Sequence, residues 1–270
     1  MDLILYLKYF FLGLVQGFTE PIPVSSSGHL EIVSSVFGIV NEGLSFAIIV
    51  NFASLLAVLL IYKKEIASLA KNNYNYVFKK DKSQKSEFVF FVNLIIATIP
   101  AGLLGVLLSD IIDEKLSGIK IIGYTLLITA LALFLIKNMH GGKKTDHDIT
   151  IKDALIVGFA QVCALIPGIS RSGATIVAAM AIGINQKTAL KFSFFLYIPV
   201  SIGASILGFS DLLSDPKLNE LIIPYSIAFV TTFFMTYIAL KWFMGIMEKG
   251  KLMIFSIYCL IMGLIVIMFL

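Results

Sequence analysis

GLVQGFTEPIPVSSSGHL, residues 13 to 30, and GFAQVCALIPGISRSGAT, residues 158 to 175, are the two stretches whose reading decides the fold. Laid over each other without a gap, Gly13, Gln16, Ser25, Ser27 and Gly28 fall on Gly158, Gln161, Ser170, Ser172 and Gly173. Each stretch is apolar at its start, broken in the middle by proline, glycine and serine, and followed by long apolar runs. Proline removes a helical hydrogen bond and pushes the preceding residue out of the α region, so Pro21, Pro23 and Pro167 should each end a helix. Residues 3 to 36 and 153 to 184 then each become two helices joined by a polar break.

The rest of the chain says what surrounds those breaks. Of 270 residues, 58% are hydrophobic and 14% charged, with a mean hydropathy of +0.94, so lipid is the solvent. A spanning helix needs about 20 mainly apolar residues. Six stretches qualify: 44 to 62, 90 to 108, 120 to 137, 190 to 208, 222 to 240 and 252 to 270. They are continuously apolar, not alternating, which excludes a barrel and predicts an all-α integral membrane protein. Cys163 and Cys259 lie in apolar segments and read as packing residues. The N-terminal apolar stretch has no small-residue cleavage site after it and does not read as a removable signal. Most lysines sit in loops, so the net charge of +4 sets orientation and implies no nucleic acid.

Loop charge orders the spans. Residues 63 to 87 form the longest polar segment and carry Lys63, Lys64, Lys71, Lys79, Lys80, Lys82 and Lys85, which places them on the cytoplasmic side. The loops at 137 to 153 and 241 to 251 are also lysine-rich and cytoplasmic. Those at 109 to 119 and 209 to 221 hold one lysine each among acids and face outward. These sides require both broken stretches to be re-entrant hairpins, the second entering from the cytoplasm and the first from outside; alternatively residues 3 to 20 span and put the N-terminus inside. Each hairpin precedes three spans, an odd number, so the copies must be inverted and their tips should meet near the midplane. One membrane domain results: repeat 1 at about 1 to 137, repeat 2 at about 153 to 270, and a cytoplasmic loop at 138 to 152.

At each break a serine-rich turn precedes a helix, so free N–H groups and a positive dipole end lie at the tip. Two such ends suit a phosphate or diphosphate, with Ser25, Ser26, Ser27, Gly28, Ser170, Ser172, Gly173 and Thr175 around it. Arg171 is the single arginine of the 21 basic residues, and it lies in an apolar region. Its planar fork matches two phosphate oxygens, whereas the alternative is a structural ion pair with Glu20. Glu20 ends its helix one turn after Gln16, where a carboxylate is electrostatically misplaced. Arg171, a divalent metal or a proton shared with His29 should compensate it. His29 follows Ser26 by three residues, which suits a base beside a nucleophile. His140 and His147 sit in a polar loop and read as solvated.

The blocks QGFTEPIPVSSSGH at residues 16 to 29 and PGISRSGAT at 167 to 175 resemble the BacA-type undecaprenyl-diphosphate phosphatases, and the similarity runs the length of the chain. The resemblance implies hydrolysis of undecaprenyl diphosphate to the monophosphate and phosphate, recycling the lipid carrier of cell-wall synthesis. It also implies bacitracin tolerance, a polyprenyl diphosphate substrate, a divalent cation (Mg or Ca), and residence in the bacterial cytoplasmic membrane with an outward-facing site. By the same likeness Gln16 and Glu20 match an acidic motif that would bear the metal. Ser26 matches the proposed nucleophile, His29 its neighbouring base, and Ser170, Arg171 and Thr175 the phosphate-binding motif. Gln16 stands where the motif admits Glu or Gln, so two carboxylates are not required. A water could replace Ser26 as nucleophile. The rival expectation is a lipid or anion transporter, because inverted repeats with broken helices are also the plan of secondary transporters. The sequence leaves the oligomeric state open.

Overall fold

The computed structural model describes residues 3–37, 43–116, 118–139 and 142–270. Among them are eleven α-helices and no strand, apart from an isolated bridge between Lys144 and Ile184. In chain order they are α1 Leu3–Thr19, α2 Ser26–Phe37, α3 Gly43–Ile61, α4 Lys63–Phe78, α5 Lys85–Lys115, α6 Ile119–Ile136, α7 Ile151–Cys163, α8 Arg171–Ala181, α9 Gln186–Ser214, α10 Leu218–Glu248 and α11 Met253–Phe269. The protein is an all-helical, multi-pass membrane protein. Each of the six apolar stretches forms a helix, and α3, α5, α6, α9 and α10 are long and apolar enough to cross a bilayer; α11, at 17 residues, is shorter. The outer surface is apolar: Ile206 is 69% exposed, Leu207 68% and Leu107 64%, which in water would be prohibitive.

The breaks fall where the prolines require. α1 stops at Thr19 and α2 begins at Ser26; α7 stops at Cys163 and α8 begins at Arg171. Ser25 takes a left-handed φ of 70° and Gly168 one of 86°, which turns the chain back at each tip. Ser25 Oγ then accepts the Gly28 N–H at 3.3 Å, and Ser170 Oγ accepts the Gly173 N–H at 3.1 Å. Both serines are thus N-caps, each satisfying an otherwise orphaned donor.

Close helix contacts rest on small residues, as expected where lipid provides no hydrophobic drive between helices. α1 lies along α10, and a Cβ at Gly13 would come within 2.7 Å of the Ala228 carbonyl oxygen. α7 lies along α5 in the same manner, and a Cβ at Gly158 would come within 2.5 Å of the Ala97 carbonyl oxygen. α6 and α11 meet at Gly123 and Gly263, and Ser256 Oγ donates to the Ala130 carbonyl at 2.7 Å across the same seam. α3 crosses α9 and α10. The largest core cluster, including Phe90, Phe192, Leu133 and Ile176, supports the second hairpin from behind.

The longest polar segment, residues 63–87, forms α4, a single 3₁₀ turn at Lys82–Gln84 and the start of α5. Ile66, Leu69 and Tyr76 recur at helical spacing and give α4 a face to pack on, with the Tyr76 ring stacked on Phe88 at 4.7 Å. His147 is exposed, in agreement with a solvated loop, whereas His140 lies outside the described residues.

Candidate active site

Both breaks open on one cavity of about 100 Å³, large enough for a phosphoryl group. Glu20, Ser25, Ser26 and Ser27 line it from the first hairpin, and Ser170, Arg171 and Ser172 from the second. The tips touch: Ser172 Oγ donates to the Ile22 carbonyl at 3.3 Å, and a Cβ on Gly28 would reach Gly168 Cα at 3.3 Å. Gly28 therefore lets two backbones approach, and Gly173 leaves room for the Ser170 side chain that caps it. Ser25 Oγ lies 3.4 Å from Ser27 Oγ and Ser170 Oγ 3.2 Å from Ser172 Oγ, so the caps present matching hydroxyl pairs.

Glu20 is the hub. Its Oε2 accepts the Ser26 hydroxyl in a short hydrogen bond and the Gln16 Nε2–H at 3.0 Å. Its Oε1 faces Arg171 Nη2 at 3.8 Å, too long for a hydrogen bond and close enough for charge compensation. The arginine is held from its other side: its guanidinium carbon sits 4.9 Å from the centre of the Tyr197 ring, and Nη1 donates to Ser201 Oγ at 3.5 Å. Tyr197 O–H in turn donates to Asn51 Oδ1 at 3.1 Å, and Ser201 Oγ–H to the same oxygen at 3.4 Å. Arg171 is thus aimed into the cavity by α9 and α3, not locked onto the carboxylate.

Five expected site residues do not line the cavity: Gln16, Gly28 and Gly173 stand behind it, and His29 and Thr175 are engaged elsewhere. His29 does not meet Ser26. Its Nδ1–H donates to the Ser25 carbonyl at 2.7 Å, and its Nε2 pairs with Tyr258 O–H at 2.7 Å, with the rings stacked. The i, i+3 spacing put His29 near the right turn, but its ring turns toward α11 and leaves no free nitrogen for the serine. Glu20 takes that place. Thr175 also lies outside the cavity lining, donating to the Arg171 carbonyl at 2.9 Å and sharing a hydrogen bond with Ser193 at 2.5 Å. It secures the first turn of α8 and contacts no open space.

Sequence reasoning missed the lateral walls: Val58 of α3, Ser193, Phe194 and Tyr197 of α9, and Thr236 of α10. Only a tyrosine amid an apolar run marked this set, and that signal alone points to no site.

A family model described as "Bacitracin resistance protein BacA" matches residues 9–265. The chain is 57% identical to undecaprenyl-diphosphatase 1 of Bacillus cereus over 264 residues, which is 98% of this chain and 97% of that protein. It is 54% identical to undecaprenyl-diphosphatase 1 of Bacillus licheniformis over 270 residues, all of both chains, and 55% identical to undecaprenyl-diphosphatase of Oceanobacillus iheyensis over 97% of this chain and 96% of that one. The chain belongs to the BacA family. The BacA match spans both hairpins and every helix that lines the cavity, so the resemblance first seen in two motifs extends to the scaffold that positions them.

Proposed function

We propose that this protein hydrolyses undecaprenyl diphosphate to undecaprenyl phosphate and phosphate, in the cavity where the two hairpins meet. The relatives are named for that activity, which favours a phosphatase over a transporter. The observation that carries the mechanism is that Ser26 O–H donates directly to Glu20 while Arg171 faces the same space. Arg171 and the N-terminal amides of α2 and α8 bind the terminal phosphate and neutralise charge as it develops. Ser26 Oγ attacks phosphorus, its proton passes to Glu20, and the bond to the bridging oxygen breaks to release the lipid monophosphate. A water then attacks the phosphoserine: the Ser26–phosphorus bond breaks, Ser26 Oγ takes its proton back from Glu20, and the water's oxygen and both its protons leave on the released phosphate, so Glu20 is again a carboxylate. His29 positions the turn by holding the Ser25 carbonyl.

A divalent cation fits these residues in one form. Among the described residues no cluster of three His, Cys, Asp or Glu could form a protein-only cage. One carboxylate, the Gln16 amide oxygen and serine hydroxyls suit a magnesium ion that takes its remaining ligands from substrate phosphates, rather than a calcium cage. Such an ion, held by Glu20 and Gln16, would supply charge neutralisation at the diphosphate.

The same proposal extends to architecture: six spans plus two re-entrant hairpins in an inverted repeat, with the cavity opening to the outer face. Its support is the pairing pattern. α1 packs on α10 as α7 packs on α5, and α3 with α9 and α6 with α11 are counterparts that meet each other. Retention of most activity by Ser26→Ala, with no phosphate label trapped on Ser26 during turnover, would exclude the covalent step and leave Glu20 activating water.

A further inference from the structure

We propose that α4 is a membrane-surface helix that docks on the anionic headgroups of the cytoplasmic leaflet. α4 has two apolar faces. One, with Ile66, Leu69 and Tyr76, packs toward the protein, and Leu69 is buried. The other recurs at Ala67, Ala70, Tyr74, Val77 and Phe78, a stripe at helical spacing left open by the described residues: Tyr74 is 54% exposed, Val77 50% and Phe78 72%.

The ends of the helix say what covers it. α3 ends at Ile61, one residue before α4, and α5 begins at Lys85, six residues after it. Both neighbours are long apolar helices, so both ends of α4 are tethered at the level where helices leave the bilayer. A 16-residue helix about 24 Å long, fixed in this way at each end, lies along the surface and does not project from it. Exposed Lys64 and Lys71 flank one side of the stripe, and exposed Lys79, Lys80, Lys82 and Lys85 follow it. The Lys79 ammonium sits 5.9 Å from the centre of the Tyr74 ring, at the polar edge of the stripe. An apolar stripe bordered by lysines is the chemistry of a helix lying in the headgroup layer, and a row of lysines there selects anionic lipid. The side of the membrane rests on the topology proposed above; the docking itself does not depend on the hydrolytic reading.

The test places a reporter on the stripe: Phe78→Trp in a Trp242→Phe background, with Val77→Trp as a second reporter should the first misfold. The protein is reconstituted in vesicles of equal phosphatidylglycerol and phosphatidylcholine, with brominated acyl chains on one lipid or the other. The expected result is strong quenching by brominated lipid, weak quenching by acrylamide, and a phosphatidylglycerol preference of roughly twofold or more. That preference should vanish when Lys64, Lys71, Lys79 and Lys80 are all changed to Gln. Quenching by acrylamide alone overturns the proposal, since the face is then in water. Shielding from both quenchers overturns it in favour of a second protein copy, and equal quenching by both lipids removes the anionic selection. None of these readings measures hydrolysis, so loss of the proposed activity would not be confused with failure of docking.

Discussion

Arg171 and Glu20 face each other at 3.8 Å with an open cavity beside them, and that spacing separates a phosphate clamp from an ion pair. Were balance of Glu20 the only role, lysine should largely replace arginine. A planar fork gripping two phosphoryl oxygens cannot be so replaced, and Arg171→Lys should lower turnover by about 10² to 10³ while substrate affinity falls less. Near-normal turnover in the folded variant would take Arg171 off the catalytic list. Tyr197 and Asn51 act through it. Tyr197→Phe keeps the ring under the guanidinium but cuts the bond to Asn51, so it should cost less than Tyr197→Leu, and the gap should appear in kcat more than in KM. Arg171 was legible because a lone arginine in an apolar region demands a reason. Tyr197 and Asn51 were not, because their meeting is made by the crossing of α3 and α9, which no local pattern encodes. His29 marks the opposite limit: spacing found its turn, but the direction of the ring depended on Tyr258, 229 residues away. As a positioning residue, His29→Ala should lower turnover while leaving the acidic limb of the pH–rate profile where it was. Displacement of that limb would restore His29 as the proton acceptor.

At the scale of elements, the two hairpins use one local code for different ends. Serine caps, glycine contacts and proline stops recur in both, and these were readable because each acts within a few residues of itself. The chemistry then diverges. Gln16 donates to Glu20 one turn on, whereas its counterpart Gln161 has Leu165 at that place, and its buried amide finds no hydrogen-bond partner among the described residues. The first hairpin brings Glu20 and Ser26 to the cavity, the second Arg171. Ser170→Ala tests the shared part: it should cost about 1 kcal/mol of stability by freeing the Gly173 N–H. It should also lower phosphate affinity more than an equally destabilising core change elsewhere, measured by thermal melts beside kinetics. α4 was hidden in the sequence by its polar composition, since a lysine- and asparagine-rich segment between spans reads as loop until its two apolar stripes are separated.

Over the whole molecule, α1 on α10 and α7 on α5 interlock the two halves, so neither hairpin is complete without a helix of the other half. An inversion of one copy against the other makes a sided prediction. With Cys163, which is exposed, replaced by alanine and Cys259 left buried, a cysteine at Gln84 should react only with reagent on the cytoplasmic side and one at Asp215 only with reagent outside. Gln84 sits in the turn between α4 and α5, and Asp215 in the turn between α9 and α10, where its carboxylate accepts the Lys217 N–H at 2.9 Å. Labelling of both from one side would break the inverted arrangement, because an even number of crossings would then separate turns that the repeat places on opposite faces. Correct sidedness has a consequence for chemistry. The proposed architecture opens the cavity to one face. If that face is the outer one, intact cells should release phosphate from added short-chain lipid diphosphate, and Ser26→Ala cells should not.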